Sequence, residues 1–502
     1  MAEELLINVN AFETRVALVV HGLLQEVQVA RATGASVTGN IYLGKVVRIV
    51  PGMQAAFVDV GLARPGFLHA RDIEGPRIIT PDQAGSEKKK HDIRDLIHDG
   101  QSILVQVEKD PIASKGARLS TQIAFASKYL VWMPNEARIG ISQRIDDEVE
   151  RERLRTTLDS IKQAQSLRGG VIVRTAGERA SAEHLAQDLK LLSRLWERIR
   201  GRIDGARAPS LIYEELPLHT RMVRDLVGAD TQHILVDHAD TFERISSYVE
   251  EVIPGYSDRL QRYAEDRPLF ERHGVEDEIA RALEAKVALK SGGSLVIEQT
   301  EAMISIDVNT GGFLGGHSLE ETVYRTNLEA AAAIPRQLRL RNLGGIIVID
   351  FIDMEDEEHQ RQVWRTLEKA TEADPARTRM EGFSSLGLVQ MSRKRTRESL
   401  AQSMCVPCNQ CQGTGKVRSS ESTSIEVLRA LSQDYKARCR KKSVDGDYLI
   451  RATESVVDRL LDEDAAHLAE LSSNIEREIR IQVEPSYVEG QFDIVLIHPV
   501  AR

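Results

Sequence analysis

The chain has 502 residues, too many for one hydrophobic core, which implies three or more domains of about 100–150 residues each. Hydrophobic residues at 42% and charged residues at 28% exclude a globally disordered chain. The formal net charge of −10 excludes attraction to nucleic acid through overall charge, so such a partner has to be held by a local basic surface.

The start, Met1-Ala2-Glu3-Glu4, lacks the basic opening of a signal peptide, and the apolar run Val16–Val20 is far too short to span a bilayer. No targeting or transmembrane segment is expected. Residues 4–30 read as strands, with apolar clusters at Leu5–Val9 and Val16–Val20. From Gly39 to about Ala126, short β-rich runs (Ile41–Val50, Ala55–Val60, Ile103–Val107) are broken by Pro51-Gly52, Gly61 and Gly66, which predicts a small barrel. The charged interval Ser86–Arg94, with Lys88-Lys89-Lys90, is predicted to be a loop inside it. Between Tyr129 and Ile212 a strand at Gly170–Arg174 is predicted between helices at Asp146–Gln165 and Ala182–Arg200, and residues 216–275 are again mixed. A helix from about Glu276, with Ile279, Leu283 and Val287 at helical spacing, is predicted to stop at Gly292-Gly293. A strand Leu295–Val308 follows, then a helix over Leu319–Arg341 that Pro335 should kink, then a strand Ile346–Phe351. Next come a cysteine knot at 405–415 and a small α/β unit from Ser424 to Arg502.

The chemistry concentrates in two strands. In Ile304-Ser305-Ile306-Asp307-Val308-Asn309 the period of two puts the apolar residues on one face and Ser305, Asp307 and Asn309 on the other, so Asp307 and Asn309 point into one cleft. The second strand, Ile346-Ile347-Val348-Ile349, is apolar throughout, as expected of a strand covered on both faces, and it ends in Asp350, with Asp353 close behind. A carboxylate there is costly unless solvated, paired or metal-bound. Magnesium takes hard oxygen ligands, keeps several waters, and needs only one or two carboxylates plus a substrate phosphate. Either Asp alone could equally end a strand or cap a helix. The pair on two strands of one domain points to metal chemistry.

Cys405, Cys408 and Cys411 are spaced as reduced metal ligands, not as a disulfide framework, which makes the cytoplasm the simplest compartment. A closed zinc site takes four ligands. One chain could supply these three plus Cys439, or two chains could each donate Cys408 and Cys411.

Several runs are long enough to be specific. Met53-Gln54-Ala55-Ala56-Phe57-Val58-Asp59, Arg174-Thr175-Ala176-Gly177, Ser305–Asn309, the run Arg339–Met354 and Cys408-x-x-Cys411-x-Gly-x-Gly resemble the bacterial ribonuclease E/G family. The similarity runs through essentially the whole chain in order. Without the long disordered scaffold tail of one branch, the chain is expected on the tail-less side of the family. The C-x-x-C-x-G-x-G string also occurs, repeated, in DnaJ-type chaperones, but here it is a single copy.

The resemblance implies an RNase H-like domain split over 1–37 and 216–278, an inserted S1-type OB barrel at 38–126 and a 5′-sensor region at 127–215. It further implies a DNase I-like catalytic domain at 279–402, a zinc link at 403–417 and a small dimerisation domain at 418–502. By the same resemblance, Asp307 and Asp350 hold a catalytic Mg²⁺, Asn309 supports the attacked phosphate or its water, and Asp353 stands behind them. Cys408 and Cys411 of two subunits then share Zn²⁺, leaving Cys405 spare. The expected activity is endonucleolytic hydrolysis of single-stranded RNA to 5′-phosphate and 3′-hydroxyl ends, in rRNA 5′-end processing and mRNA decay, by a homodimer or higher homo-oligomer. The competing expectations are an endonuclease of the family's tail-bearing branch that lacks the scaffold, a non-catalytic RNA-binding regulator and a zinc-stabilised structural protein.

For RNA contact, Phe57 and Phe67 flank a turn and Lys115 lies near the end of the barrel; OB barrels stack bases on aromatics and track the backbone with cations. Two Phe residues in a β region are more often core, and it is the resemblance that assigns them to RNA. Arg174 brings a planar fork suited to phosphate oxygens and Thr175 a hydroxyl donor. The resemblance matches the family's 5′-monophosphate pocket to Val131, Arg174, Thr175 and Arg377, with Ser127 standing where one family pattern has glycine. Arg377 opens a basic stretch through Arg397, including Arg379, Arg393, Lys394 and Arg395, that is expected to offset the acidic net charge locally.

Overall fold

The computed structural model describes residues 3–32, 36–73, 92–111, 115–165, 167–311, 319–395, 397–440 and 446–497, in two compact units, Met1–Ser403 and Met404–Arg502. In the first unit, distant segments share one five-stranded sheet, ordered Leu260–Arg262, Thr231–Val236, Glu3–Val9, Glu13–Val20, Leu23–Arg31. Glu3–Val9 pairs antiparallel with Glu13–Val20 and parallel with Thr231–Val236. Its Leu5, Leu6 and Ile7 are fully buried, as a central strand covered on both faces should be. Met222, Val223, Ile245 and Val249 of the helices Leu218–Leu226 and Ala239–Val252 complete this core.

The barrel expected between Gly39 and Ala126 forms from Ile41–Val50, Ala55–Asp59, Gly66–His69, Arg118–Ser120 and Ser102–Lys109, and the last of these pairs back onto the first. Closure leaves no open edge, and Val46, Ala56, Val58, Leu68, Val105 and Leu119 fill the interior. Gly116 is required where it stands: a Cβ there would lie 2.0 Å from the Pro65 carbonyl oxygen. Of the predicted charged loop, residues 86–91 lie outside the described residues, and Ile93–Leu96 is a helical turn capped by Asp92.

The next layer has a four-stranded sheet, Ile139–Ile141, Gly170–Val173, Leu130–Met133 and Phe125–Ala126, under the helices Glu148–Ala164 and Ala182–Ile203. These helices start where Asp147 and Ser181 accept the first free amides.

The last sheet of this unit runs Lys286–Ala288, Ser294–Gln299, Met303–Asn309, Gly345–Asp350, Leu388–Arg393, Thr378–Glu381. Here three expectations are corrected. The helix from 276 is Val275–Leu283 and does not reach Val287, which lies in the first strand; Gly292-Gly293 makes the hairpin turn to the second, with Gly292 at φ 93°. A short apolar run of period 3–4 does not distinguish these states. The single strand Leu295–Val308 is two, turned at Thr300, whose hydroxyl accepts the Met303 amide at 3.1 Å. The strand ending in Asp350 is covered on one face only: Ile347 and Ile349 are fully buried, whereas Ile346 is 56% exposed. The helices Leu319–Leu340, which continues through buried Pro335, and Glu357–Thr371 cover that one face.

The second unit packs the helices Ser420–Arg440, Glu454–Leu461 and Ala465–Ile475 on a three-stranded sheet ordered Ile479–Val483, Asp447–Ala452, Phe492–Ile497. Its core is Val427, Leu431, Tyr448, Ile450, Val456 and Leu460.

Candidate active site

The parallel pairing of Met303–Asn309 with Gly345–Asp350 sets Asp307 directly opposite Asp350. Paired residues project to one face, and neighbouring strands are about 4.8 Å apart, so the two carboxylates stand side by side. Asp307, Asn309 and Asp350 are all exposed on the uncovered face, while Ile306, Val308 and Ile349 anchor their strands in the core. Asn309 Nδ2 donates to Asp307 Oδ2 at 2.7 Å. Neither carboxylate has a cationic partner among the described residues, leaving two adjacent hard-oxygen donors open to solvent, a set that fits Mg²⁺. Asp353 is exposed, its carboxylate near Gly387. A positioning residue that the sequence did not reveal is Asn327. Fully buried on the covering helix, it donates to the Ile352 carbonyl at 2.8 Å and accepts the Ile352 amide at 3.1 Å, fixing the chain just beyond Asp350.

On the barrel, Phe57 pairs with Phe67 across adjacent strands, both half-buried, with ring centroids 6.1 Å apart in an edge-on arrangement. The register extends this row to Arg48 beside Phe57, and to Arg118 and then Lys109 beyond Phe67. Arg118 is tied to Asp72 at 2.9 Å, whereas Arg48 is exposed with no ion-pair partner among the described residues. Sequence reading missed Arg48 because only the strand register puts it beside Phe57. Lys115 is exposed, two residues before Ala117, whose carbonyl receives the Phe67 amide at 2.7 Å.

Around Arg174 the chain turns sharply. A Cβ on Gly177 would meet Val173 at 2.7 Å and the Tyr129 carbonyl at 3.1 Å, so the Arg-Thr-Ala-Gly turn needs glycine there. Thr175 Oγ1 is 3.0 Å from Ser142 Oγ on the surface. Val131 pairs with Ile172, on the side of the sheet that residue 174 shares by alternation. Arg174 is not a free cation: it donates to the Ser127 carbonyl at 2.6 Å and to Asp225 Oδ1 at 2.7 Å. Ser127 is itself buried, with its hydroxyl donating to Asp188 at 2.9 Å and its amide to the Leu130 carbonyl. Arg144 of this region donates to the carbonyls of Asp374 and Ala376, both at 2.7 Å, which brings the exposed Arg377 to the same neighbourhood.

The expected basic stretch is partly structural. Arg393 forms a buried pair with Asp374, Arg397 pairs with Glu26, and Arg395 donates to the Gly344 carbonyl, leaving Arg377, Arg379 and Lys394 outward. Strand alternation and sheet packing turn its members inward and outward in a way that charge counting does not register.

At the cysteines, the backbone amides of Cys411 and Gln410, followed by the Cys411 thiol, hold the Cys408 thiol below its usual range, favouring the thiolate that metals bind. Cys405 and Cys408 are exposed and Cys411 half-buried. The one triad of His, Cys, Asp or Glu ligand atoms that converges among the described residues is Glu320, Asp356 and His359, so three thiolates of one chain do not gather there. In that triad Glu320 faces His359 Nδ1 at 3.7 Å and Asp356 faces Nε2 at 3.9 Å, on opposite edges of a ring stacked on Tyr324.

No helix among the described residues is long and apolar enough to cross a membrane. The model of the "Ribonuclease E/G family" matches residues 124–396, and that of the "RNase E/G, Thioredoxin-like domain" matches residues 407–497. The chain is 45% identical over 501 residues to Ribonuclease G of Salmonella typhimurium (strain SL1344), covering 99% of this chain and 100% of that protein. Identity to Ribonuclease G of Escherichia coli (strain K12) is 44% over the same span. Ribonuclease E of Haemophilus influenzae is 41% identical over 84% of this chain but only 45% of its own length. Matched by both family models and 45% identical to a Ribonuclease G over 99% of its length, this chain belongs to the ribonuclease E/G family.

Proposed function

We propose that the chain is a ribonuclease G-like endoribonuclease that hydrolyses single-stranded RNA at the Asp307–Asp350 face. Full-length similarity to Ribonuclease G supports the activity, and the in-register pair of carboxylates, with no cationic partner among the described residues, is the observation that carries the chemistry. When bound, Mg²⁺ would supply a water of lowered pKa and offset charge on the phosphate. Asp307 and Asp350 would hold the ion, and Asn309, hydrogen-bonded to Asp307, orients that carboxylate and presents its amide to the scissile phosphate. A water oxygen bonds to phosphorus as the P–O3′ bond breaks and the 3′-oxygen leaves with a proton, giving 5′-phosphate and 3′-hydroxyl ends.

The barrel row of Phe57 and Phe67, with Lys115 nearby, holds the strand by stacking and backbone charge, and Val131, Arg174, Thr175 and Arg377 read a 5′-monophosphate. The five-stranded sheet supports the RNase H-like reading of 1–37 and 216–278, and the closed barrel supports the S1-type OB reading of 38–126. Cys408 and Cys411 of two subunits complete a Zn²⁺ site in a cytoplasmic homodimer or higher oligomer, acting in rRNA 5′-end maturation and mRNA decay. Incubating the protein with a 5′-monophosphorylated oligoribonucleotide, with Mg²⁺ or with chelator, tests this reading. Binding without Mg²⁺-dependent cleavage would leave an RNA-binding regulator.

A further inference from the structure

Arg174 sits in a polar network whose charges cancel. Lys128, Arg174 and Arg224 are set against Asp188, Asp225 and Glu215. Asp225, on the helix Leu218–Leu226, is the shared member: Oδ1 takes Arg174 at 2.7 Å and Arg224 Nε at 3.0 Å, and Oδ2 takes Arg224 Nη2 at 3.1 Å. Arg224 is buried, with a second anchor on Glu215 at 2.9 Å and a third on the Ala126 carbonyl at 3.2 Å. Burial pushes the Asp225 carboxyl up, but hydrogen bonding and charge from Arg224, with Arg174 adding to them, hold it below its ordinary value. Asp225 is therefore a fixed anion, clamped by a buried arginine and gripping one corner of the Arg174 fork, while the Ser127 carbonyl takes the other.

A guanidinium has five N–H donors in one plane. Among the described residues two of those of Arg174 are engaged from the protein side, which fixes the plane and leaves the remaining donors for a ligand at the half-open surface by Thr175. Without a second anchor the long side chain would rotate, and its ordering would be charged against phosphate binding.

We infer that Asp225 is the positioning residue of the 5′-phosphate sensor: it presets the Arg174 guanidinium for a terminal monophosphate without touching the RNA itself. This rests on the sensor reading of Arg174 given above. It places part of the end-recognition machinery on a helix 51 residues away in sequence, outside the sensor region.

The test is the ratio of kcat/KM for a 5′-monophosphorylated oligoribonucleotide to that for its 5′-hydroxyl counterpart, measured on the full chain. Arg174→Gln should collapse the ratio. Asp225→Ala should lower it about tenfold, and Asp225→Asn, which keeps one acceptor oxygen and guards against misfolding, about threefold. The double variant Arg174→Gln/Asp225→Ala should have the same ratio as Arg174→Gln, since Asp225 acts only through Arg174. The inference is overturned if Arg174→Gln lowers the ratio but neither Asp225 variant does, if the double variant falls further, or if both substrates slow equally. If Arg174→Gln itself leaves the ratio unchanged, the sensor reading fails, and the role of Asp225 with it.

Discussion

At the scale of single residues, function depends on which polar groups the fold leaves without partners. Arg48 is exposed beside the Phe57–Phe67 pair with no ion-pair partner among the described residues, whereas Arg118, on the other flank, is tied to Asp72. Arg48→Gln should weaken RNA binding and reduce the slope of log affinity against log salt by about 1, the loss of one phosphate contact. Phe57→Ala or Phe67→Ala should cost about 1–3 kcal/mol of binding with the salt slope unchanged. Salt titrations with a fluorescent oligoribonucleotide check both, and a common change in slope would contradict the division of roles. His219 gives a pH dependence: burial, with Arg244 nearby, depresses its pKa to about 4, and its buried Nε2 has no partner among the described residues. The unfolded chain takes up a proton near the ordinary value of about 6.5 while the folded chain resists until about 4, so stability present above 6.5 is lost as pH falls through that window. The loss should reach about 3 kcal/mol, and His219→Gln should flatten that limb of the thermal-unfolding midpoint against pH.

At the scale of elements, the buried Asp374–Arg393 pair joins the segment before Arg377 to the strand beside Asp350, with contacts of 2.6 and 2.9 Å. Asp374→Ala leaves the guanidinium uncompensated and should destabilise by about 3–5 kcal/mol, visible as a lower unfolding midpoint. Replacing both residues by apolar ones should cost less. The strand Met303–Asn309 was legible because its two faces differ in chemistry, apolar against Ser305, Asp307 and Asn309. Its neighbour was legible in position but not in burial, because Ile346 faces the open site while looking like core. Val287 matched a helical spacing yet lies in a strand, since a hairpin turn at Gly292 competes with a helix stop built from the same glycines. The Asp225 partner of Arg174 was not legible at all: nothing local marks a contact across 51 residues.

At the scale of the whole molecule, the net charge of −10 supplies no general attraction to RNA, so capture of a strand has to rest on local groups such as the exposed Arg48, Arg377 and Lys394. In the proposed reading, the Cys408–Cys411 turn contributes two sulfur ligands of the four that a closed zinc site takes, and a second subunit contributes the other two. Cys408→Ser should release zinc and lower the mass measured by sedimentation, whereas Cys439→Ser should change neither. Retention of the assembly in Cys408→Ser would remove the shared-ion reading. The most direct measurement is cleavage of a 5′-monophosphorylated oligoribonucleotide in Mg²⁺ by the unaltered chain, Asp307→Asn and Asp350→Asn, with RNA affinity measured in parallel. The expected result is loss of cleavage by at least about a hundredfold in either variant with affinity within about twofold; cleavage persisting undiminished in either would contradict the two-carboxylate site.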